Sequence, residues 1–168
     1  MKYIIGLVLI LTLVFGIAGT TLAAPLSTGS EGQVFVYGEL VDTIGVAVLG
    51  IGYNVTDQLA IGGFYSWGLT VDAFGVFAQV KLDPILVKGE VVFSGLGTFG
   101  QVTGLYLLDL DPFTLGLGGG LYFEPGLSDF YVDVEASLAL SESFSLFGAV
   151  QYSFVSGFYY EAGISMVF

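Results

Sequence analysis

Apolar and polar side chains alternate along the eleven residues Phe158–Phe168 (FYYEAGISMVF). The even-numbered positions are apolar throughout, whereas the odd-numbered positions are small or polar with Val167 as the exception. Successive side chains of a β-strand point to opposite faces, so the pattern predicts a strand with one apolar and one polar face. Any fold built from such strands must cover a wide apolar surface.

The same alternation recurs along the chain at intervals of roughly thirteen residues, separated by short segments rich in Asp, Asn, Ser, Pro and Gly. Each repeat is long enough to cross a bilayer as a tilted strand. The second repeat is the least regular, because Leu49 and Ile51 interrupt its small-residue face. The ten predicted strands cover residues 32–41, 43–53, 58–67, 70–82, 85–94, 98–108, 112–123, 130–140, 144–154 and 158–168.

The links between these strands are too short for parallel crossovers, so sequence neighbours are predicted to pair antiparallel. The link from Glu124 to Asp129 is one of the longer ones. An even number of hairpin-connected strands closes without leaving an edge. We therefore predict an all-β fold, a closed antiparallel up-and-down transmembrane β-barrel of ten strands, with eight strands as the less favoured count.

The apolar face is predicted to point outward into lipid. A row of large aliphatic side chains from every strand would overfill the interior of a ten-strand barrel, and only lipid accepts so much exposed hydrocarbon. Aromatic residues near the strand ends fit the girdles of a membrane barrel. The smaller face, which suits a confined interior, carries Gly62, Gly75, Gly116, Gly118, Gly120 and Gly163.

Residues 1–23 are predicted to be a cleaved signal peptide. Lys2 supplies a positive charge, residues 3–18 are an apolar run, and small residues precede a cleavage point after Ala23. A retained transmembrane helix is the alternative. Residues 24–31 then form a short periplasmic lead-in, and residues 32–168 form the barrel.

Three segments resemble small bacterial outer-membrane β-barrel proteins of the OmpA/OmpX-like and porin-like type: the strand that ends at Phe168, residues 53–65 and residues 140–147. The resemblance implies a bacterial outer-membrane location and contact with outer-membrane lipid. Long extracellular loops are missing, so adhesion or receptor roles do not carry over. The resemblance also implies recognition by the barrel assembly machinery through Tyr160, Ile164, Met166 and Phe168.

The side chains on the polar face of each strand, opposite the apolar face, are predicted to line the lumen. Lys88 is predicted to lie opposite Gln79 and within reach of Glu90, and Gln151 is predicted to lie beside both Asp133 and Glu161. The predicted polar lining is Glu39, Gln79, Lys81, Lys88, Glu90, Gln101, Asp133, Glu135, Gln151 and Glu161. The predicted aromatic lining is Phe35, Tyr37, Phe64, Phe77, Tyr122, Tyr131, Phe147 and Tyr159.

Charge and composition narrow the function. The chain has fifteen acidic and three basic residues, for a net charge of −12. Too few basic side chains are present to neutralise the phosphates of a nucleic acid. The chain holds no His and no Cys, which removes the commonest catalytic bases, nucleophiles and transition-metal ligands. We expect no enzyme activity and no cofactor, although Asp133 and Glu161 form a conceivable catalytic carboxylate pair. No protein partner is inferable.

Two lysines cannot neutralise five inward carboxylates, so some of these acids need water, a cation or a proton. A surplus of negative charge in a water-filled lumen favours cations. The leading hypothesis is a non-enzymatic outer-membrane barrel that acts as a narrow cation-preferring passive channel or as a structural membrane component. The alternatives are a transport port for small hydrophobic molecules and a soluble secreted lipocalin-like ligand carrier.

Overall fold

The computed structural model describes residues 29–41, 46–68, 72–155 and 157–168. The predicted signal peptide and residues 24–28 of the predicted lead-in lie outside the described residues. Within the described ranges, no helix has the length and apolar character needed to cross a membrane. The strands are β1 Val34–Val41, β2 Val46–Asn54, β3 Leu59–Trp67, β4 Ala73–Leu82, β5 Ile85–Ser94, β6 Gly97–Asp109, β7 Phe113–Glu124, β8 Leu127–Ser141, β9 Phe144–Ser153 and β10 Gly157–Val167.

The strands form one closed barrel in which each pairs antiparallel with its sequence neighbours. The barrel closes where β1 pairs with β10, from Phe35 opposite Val167 to Val41 opposite Glu161. Beyond this ladder, the Phe168 N–H donates a 2.8 Å hydrogen bond to the Val34 carbonyl. This architecture confirms the predicted closed up-and-down barrel of ten strands. We call the end where β1 begins the proximal end, and the opposite end the distal end.

The link predicted from Glu124 to Asp129 is wrong. Strand β7 continues to Glu124 and β8 begins at Leu127, so only Pro125 and Gly126 connect them. Gly126 adopts a φ of 92°, which glycine reaches without steric cost. The Asp129 side chain is buried inside the distal end, where its carboxylate accepts hydrogen bonds from the Ser153 hydroxyl and the Val155 N–H. The two carboxylate hydrogen bonds fix the distal end of β8 against β9.

Strand β2 is regular once its faces are assigned correctly. Leu49 and Ile51 point outward and are exposed, and the inward face carries Val48, Gly50 and Gly52. The irregularity in the sequence arose because the small-residue face was assigned to the wrong set of alternate positions. Residues 43–45 of this predicted strand lie outside the described residues, as do residue 69 and the first two residues of the predicted strand 70–82.

The outer wall is apolar along most of its height. Exposed Val, Leu and Ile residues occupy alternate strand positions, and their neighbours in sequence are buried. Aromatic side chains stand exposed near the distal strand ends, with Tyr65 stacked on Trp67 and Phe74 stacked on Phe93. Because apolar side chains cover this surface and polar ones lie within, the polarity is that of a barrel dissolved in lipid.

Candidate functional site

Every residue predicted to line the lumen faces the interior of the barrel. Lys81 and Gln101 are half-buried, as are Tyr122 and Tyr159. The polar side chains that are fully buried are those of Glu39, Gln79, Lys88, Glu90, Asp133, Glu135, Gln151 and Glu161. The aromatic side chains that are fully buried are those of Phe35, Tyr37, Phe64, Phe77, Tyr131 and Phe147.

Five of these side chains form what we call the acidic belt: Glu39, Glu90, Asp133, Glu135 and Glu161. None of the five lies in the first or last two residues of its strand, so the belt sits inside the barrel rather than at a mouth. One fully buried lysine, Lys88, lies among them. The belt therefore places five carboxyl groups and one ammonium group where a solute crossing the barrel would pass.

Lys88 lies opposite Gln79, as predicted, and forms an ion pair with Glu135 on β8, three strands further around the wall. This pair, which the sequence pattern did not predict, joins β5 to β8. An ion pair between Lys88 and Glu90 stays a prediction. The Glu90 carboxylate accepts a 3.3 Å hydrogen bond from the Gln101 side-chain amide on the adjacent strand. Both contacts connect strands through side chains inside the barrel, β5 to β8 in the first case and β5 to β6 in the second.

The predicted polar row across the last three strands is partly wrong. Asp133 lies opposite Gln151, as predicted. Gln151, however, lies opposite Tyr159, and Glu161 lies opposite Ala149. The register between β9 and β10 therefore differs by two residues from the one that would pair Gln151 with Glu161.

Tyr131 spans the lumen side of strand β7. Thr103, Gly120 and Tyr131 face one another in a single row across β6, β7 and β8. Because Gly120 has no side chain, the Tyr131 ring crosses above it and shares a 2.6 Å hydrogen bond with the Thr103 hydroxyl. Sequence reasoning missed Thr103, although its inward position opposite a glycine is readable once the hairpin register is known.

Inward aromatic rings elsewhere also lie directly across from glycines on the neighbouring strand. Phe64 faces Gly75, and Phe77 faces Gly62. A Cβ atom added at either glycine would overlap the facing ring, so the ring occupies the space that the glycine leaves. The other pairs of this kind are Phe35 with Gly52, Tyr37 with Gly50, and Phe147 with Gly163.

These rings pack into one cluster that fills the part of the lumen next to β1–β4 and β9. Tyr37 contacts Phe77 and Phe147 edge-on, with ring centroids 6.0 and 6.3 Å apart. The cluster also holds the side chains of Val41, Val48 and Ala60. A side chain that faced a water-filled bore would be exposed, yet those of the cluster and of the acidic belt are all at least nine-tenths buried. The lumen is closed at the level of the belt.

The residues proposed to guide assembly lie on the outer face of β10. Ile164, Met166 and Phe168 are exposed, and Tyr160 is half-buried and stacked against Phe158. They form one ridge of apolar side chains beside the seam between β1 and β10. Their role in assembly stays a prediction.

The fold and the polarity of its two surfaces define a small ten-strand membrane β-barrel. Neither a protein-family model nor a curated protein matches the sequence. Among solved structures, the chain is similar to the N-terminal β-barrel domain of Pseudomonas aeruginosa OprF, at 10% identity over 83% of this chain and 100% of that one, with a TM-score of 0.48.

Two further likenesses are of the same kind. The KdgM porin is 13% identical, with 80% of this chain and 98% of that chain covered and a TM-score of 0.48. A mutant of the Rh. blastica porin is 17% identical, with 83% of this chain and 53% of that chain covered and a TM-score of 0.42. All three are resemblances in barrel architecture, and the fold is established by strand order and pairing alone.

Proposed function

We propose that this chain is an integral protein of the bacterial outer membrane that acts, without enzyme activity, as a narrow cation-preferring passive channel. The observation that carries the proposal is the acidic belt, in which five buried acidic side chains share the interior of a lipid-facing barrel with Lys88. Charged rings of one sign set the ion preference of a pore. The apolar outer wall argues against a soluble lipocalin-like carrier, which would need a wettable exterior.

Conduction requires the belt to open, because its side chains are buried in the conformation described here. Among the contacts that close it are the ion pair between Lys88 and Glu135 and the hydrogen bond between Thr103 and Tyr131. The first joins strands three steps apart around the wall and the second joins strands two steps apart, both by side chains alone. Rotation of these side chains can open a path without breaking any backbone hydrogen bond of the barrel.

A planar-bilayer recording tests the proposal. The refolded protein is added to one side of a lipid bilayer, and current steps are recorded under a tenfold gradient of KCl. Small steps with a reversal potential on the cation-selective side support the channel. Steps with anion preference would contradict the acidic belt as the filter.

A structural membrane component is the second candidate, and the closed lumen favours it. The aromatic cluster occupies one side of the bore, and the belt closes the other. A barrel whose interior never opens would give no current steps at any voltage, while still inserting into the bilayer. Insertion without conductance would therefore decide for this candidate.

We also propose that the ridge on β10 is the assembly signal, read by the barrel assembly machinery in the outer membrane. The support is its position, because Phe168 lies exposed at the seam where β1 and β10 close the barrel. Replacing Phe168 with Ser should lower the amount of folded barrel in the outer membrane, while refolding of purified protein into lipid vesicles stays near that of the wild type. Equal amounts in cells would contradict this role.

A further inference from the structure

We propose that the closed barrel passes protons along the inward face of β8. The inference goes beyond the proposed function, because a proton moves from one side chain to the next and the lumen need not open to a hydrated ion. It starts from five consecutive inward positions, which we call the β8 polar row: Asp129, Tyr131, Asp133, Glu135 and Ser137. Each of these side chains is at least nine-tenths buried and carries a hydroxyl or carboxyl group.

The β8 polar row runs most of the way from the distal to the proximal end of the barrel. Strand β8 begins at Leu127 and ends at Ser141, so the row occupies its inward face from Asp129 to Ser137 without an apolar interruption. Alternate residues of a strand lie about 7 Å apart, a gap that two side chains span directly or with one water molecule. On the other strands within the described ranges, glycine or an apolar side chain interrupts the inward face.

The middle of the row holds a contact that suits a shared proton. The carboxyl groups of Asp133 and Glu135 lie within hydrogen-bonding reach of each other, and the charge of Asp133 also acts on the Tyr131 hydroxyl. Asp133 is 3% exposed, and its Oδ1 accepts no hydrogen bond from the described residues. Two carboxylates repel each other, whereas a carboxylic acid and a carboxylate share a hydrogen bond. A proton between Asp133 and Glu135 therefore satisfies both side chains.

Charged groups on other strands act on this carboxyl pair in opposite directions. The Lys88 ammonium on β5 contacts Glu135 and attracts the negative charge of the pair. Glu90 on β5 and Glu161 on β10 repel that charge, since each interacts electrostatically with Asp133. Because attraction and repulsion oppose each other, the pair both takes up and releases a proton, as a relay requires.

Hydroxyl groups continue the row toward both mouths of the barrel. At the distal end, the Ser153 hydroxyl donates a hydrogen bond to Asp129. At the proximal end, Ser145 on β9 faces Ala139, which lies two residues beyond Ser137 on the same inward face. Such diagonal neighbours lie about 7–8 Å apart, and serine hydroxyls both donate and accept hydrogen bonds. Ser145 is the second residue of β9, so the path ends next to the proximal mouth.

The transfer conserves atoms and charge. A proton from water at the distal mouth joins Asp129, each group of the β8 polar row passes one proton to the next, and Ser145 releases one proton to water at the proximal mouth. The reverse sequence moves a proton the other way. Bonds between heavy atoms stay intact, and the pH or voltage difference across the membrane supplies the driving force.

The test is proton influx into lipid vesicles that contain the refolded barrel and a trapped pH-sensitive dye. An outward K⁺ gradient with the carrier valinomycin sets a voltage that draws protons inward. Because valinomycin already makes the vesicles permeable to K⁺, a K⁺ conductance of the barrel does not alter this voltage. Wild-type vesicles should acidify faster than protein-free vesicles. Asp133→Asn keeps the size of the side chain but cannot relay a carboxyl proton, and acidification should fall to the protein-free rate.

Two further variants complete the test. Ser137→Ala removes only a hydroxyl group from the row, so it should slow acidification even if Asp133→Asn does not fold. The matched control is Glu142→Gln, which removes a carboxylate from an exposed proximal turn and should acidify like the wild type. Wild-type vesicles that acidify no faster than protein-free ones would overturn the inference, as would wild-type rates in refolded Asp133→Asn or Ser137→Ala.

Proton influx and ion conductance fail separately. Protons cross a water-filled pore without the help of Asp133. Influx that survives in Asp133→Asn, together with cation-selective current steps, would therefore support the channel and contradict the β8 polar row. Influx that depends on Asp133 in a barrel without current steps would support the row and contradict the channel.

Discussion

The Lys88 ammonium and the Glu135 carboxylate form an ion pair across the lumen, from β5 to β8, with side chains that are 3% and 5% exposed. Three strand-to-strand steps separate these residues around the wall, so the pair bridges the interior rather than a single hairpin. It pairs one of the five acids of the belt with the lysine that lies among them. This one contact therefore affects both stability and ion preference.

Breaking the pair at Lys88 should be strongly destabilising. Lys88→Met leaves Glu135 buried without its counter-ion, which costs about 3–5 kcal/mol of unfolding free energy. Replacing both residues in Lys88→Met/Glu135→Met removes both charges and should restore most of the loss. Urea unfolding of the barrel in lipid vesicles measures the three variants.

The control for Lys88→Met is Lys81→Met, which removes the same charge from a half-buried position near the proximal end. It should cost less than a third as much. In a conducting barrel, Lys88→Met should also shift the reversal potential toward stronger cation preference. Unchanged unfolding together with an unchanged reversal potential would contradict the role of this pair.

Adding a methyl group at an inward glycine should disturb the ring that lies across from it. Gly75→Ala places a Cβ atom in the space occupied by the Phe64 ring, and we expect a loss of about 1–3 kcal/mol. Gly89→Ala is the matched control, because no atom lies within 4 Å of the added Cβ. Urea unfolding measures both, and equal stability of the two variants would contradict the packing described here.

The hydrogen bond between Thr103 and Tyr131 should contribute about 1 kcal/mol and should restrict conduction. Tyr131→Phe removes the hydroxyl and keeps the ring, whereas Thr103→Val removes the other partner. A double-mutant cycle in urea should show coupling between the two positions. Single-channel recordings should show longer openings for either variant than for the wild type, and additive free energies with identical recordings would contradict the contact as a constraint.

An arginine on the outer wall should be costly at mid-height and tolerated at the rim. Val102 is exposed in the interior of β6, and Leu82 is exposed at the proximal end of β4. In a bilayer, Val102→Arg should lose about 2–4 kcal/mol of folding free energy, and Leu82→Arg about 0–1 kcal/mol. Refolding into vesicles over a urea series provides the values. Equal costs at the two positions would argue against lipid around the wall.

The fold was predictable because side-chain alternation and short links are local properties. They identified every strand and the antiparallel order, and the hairpin between β4 and β5 placed Lys88 opposite Gln79. Strand ends were less predictable, since Leu127 and Ser128 pair with β7 despite a sequence that resembles a turn. Inward and outward faces were ambiguous in β2 alone, where both sets of positions mix small and large residues.

The contacts across the lumen were not predictable from the sequence. Which residue Lys88 meets depends on how the strands tilt and where the ring closes, and neither is encoded in any one hairpin. The register between β9 and β10 shows the same limit, because Glu161 lies opposite Ala149 instead of Gln151. The glycine opposite each inward ring was within reach of sequence reasoning, since it follows from hairpin register alone.

The most direct test of the whole account is a spin-label accessibility scan along β8 in lipid vesicles. The chain has no cysteine, so single-cysteine variants at consecutive positions from Phe130 to Glu135 need no background mutation. We predict that labels at positions 130, 132 and 134 are accessible to oxygen dissolved in lipid, while those at 131, 133 and 135 are shielded from it. Accessibility of the even-numbered positions to a water-soluble nickel complex, with oxygen access at the odd-numbered ones or at none, would contradict an apolar wall facing lipid.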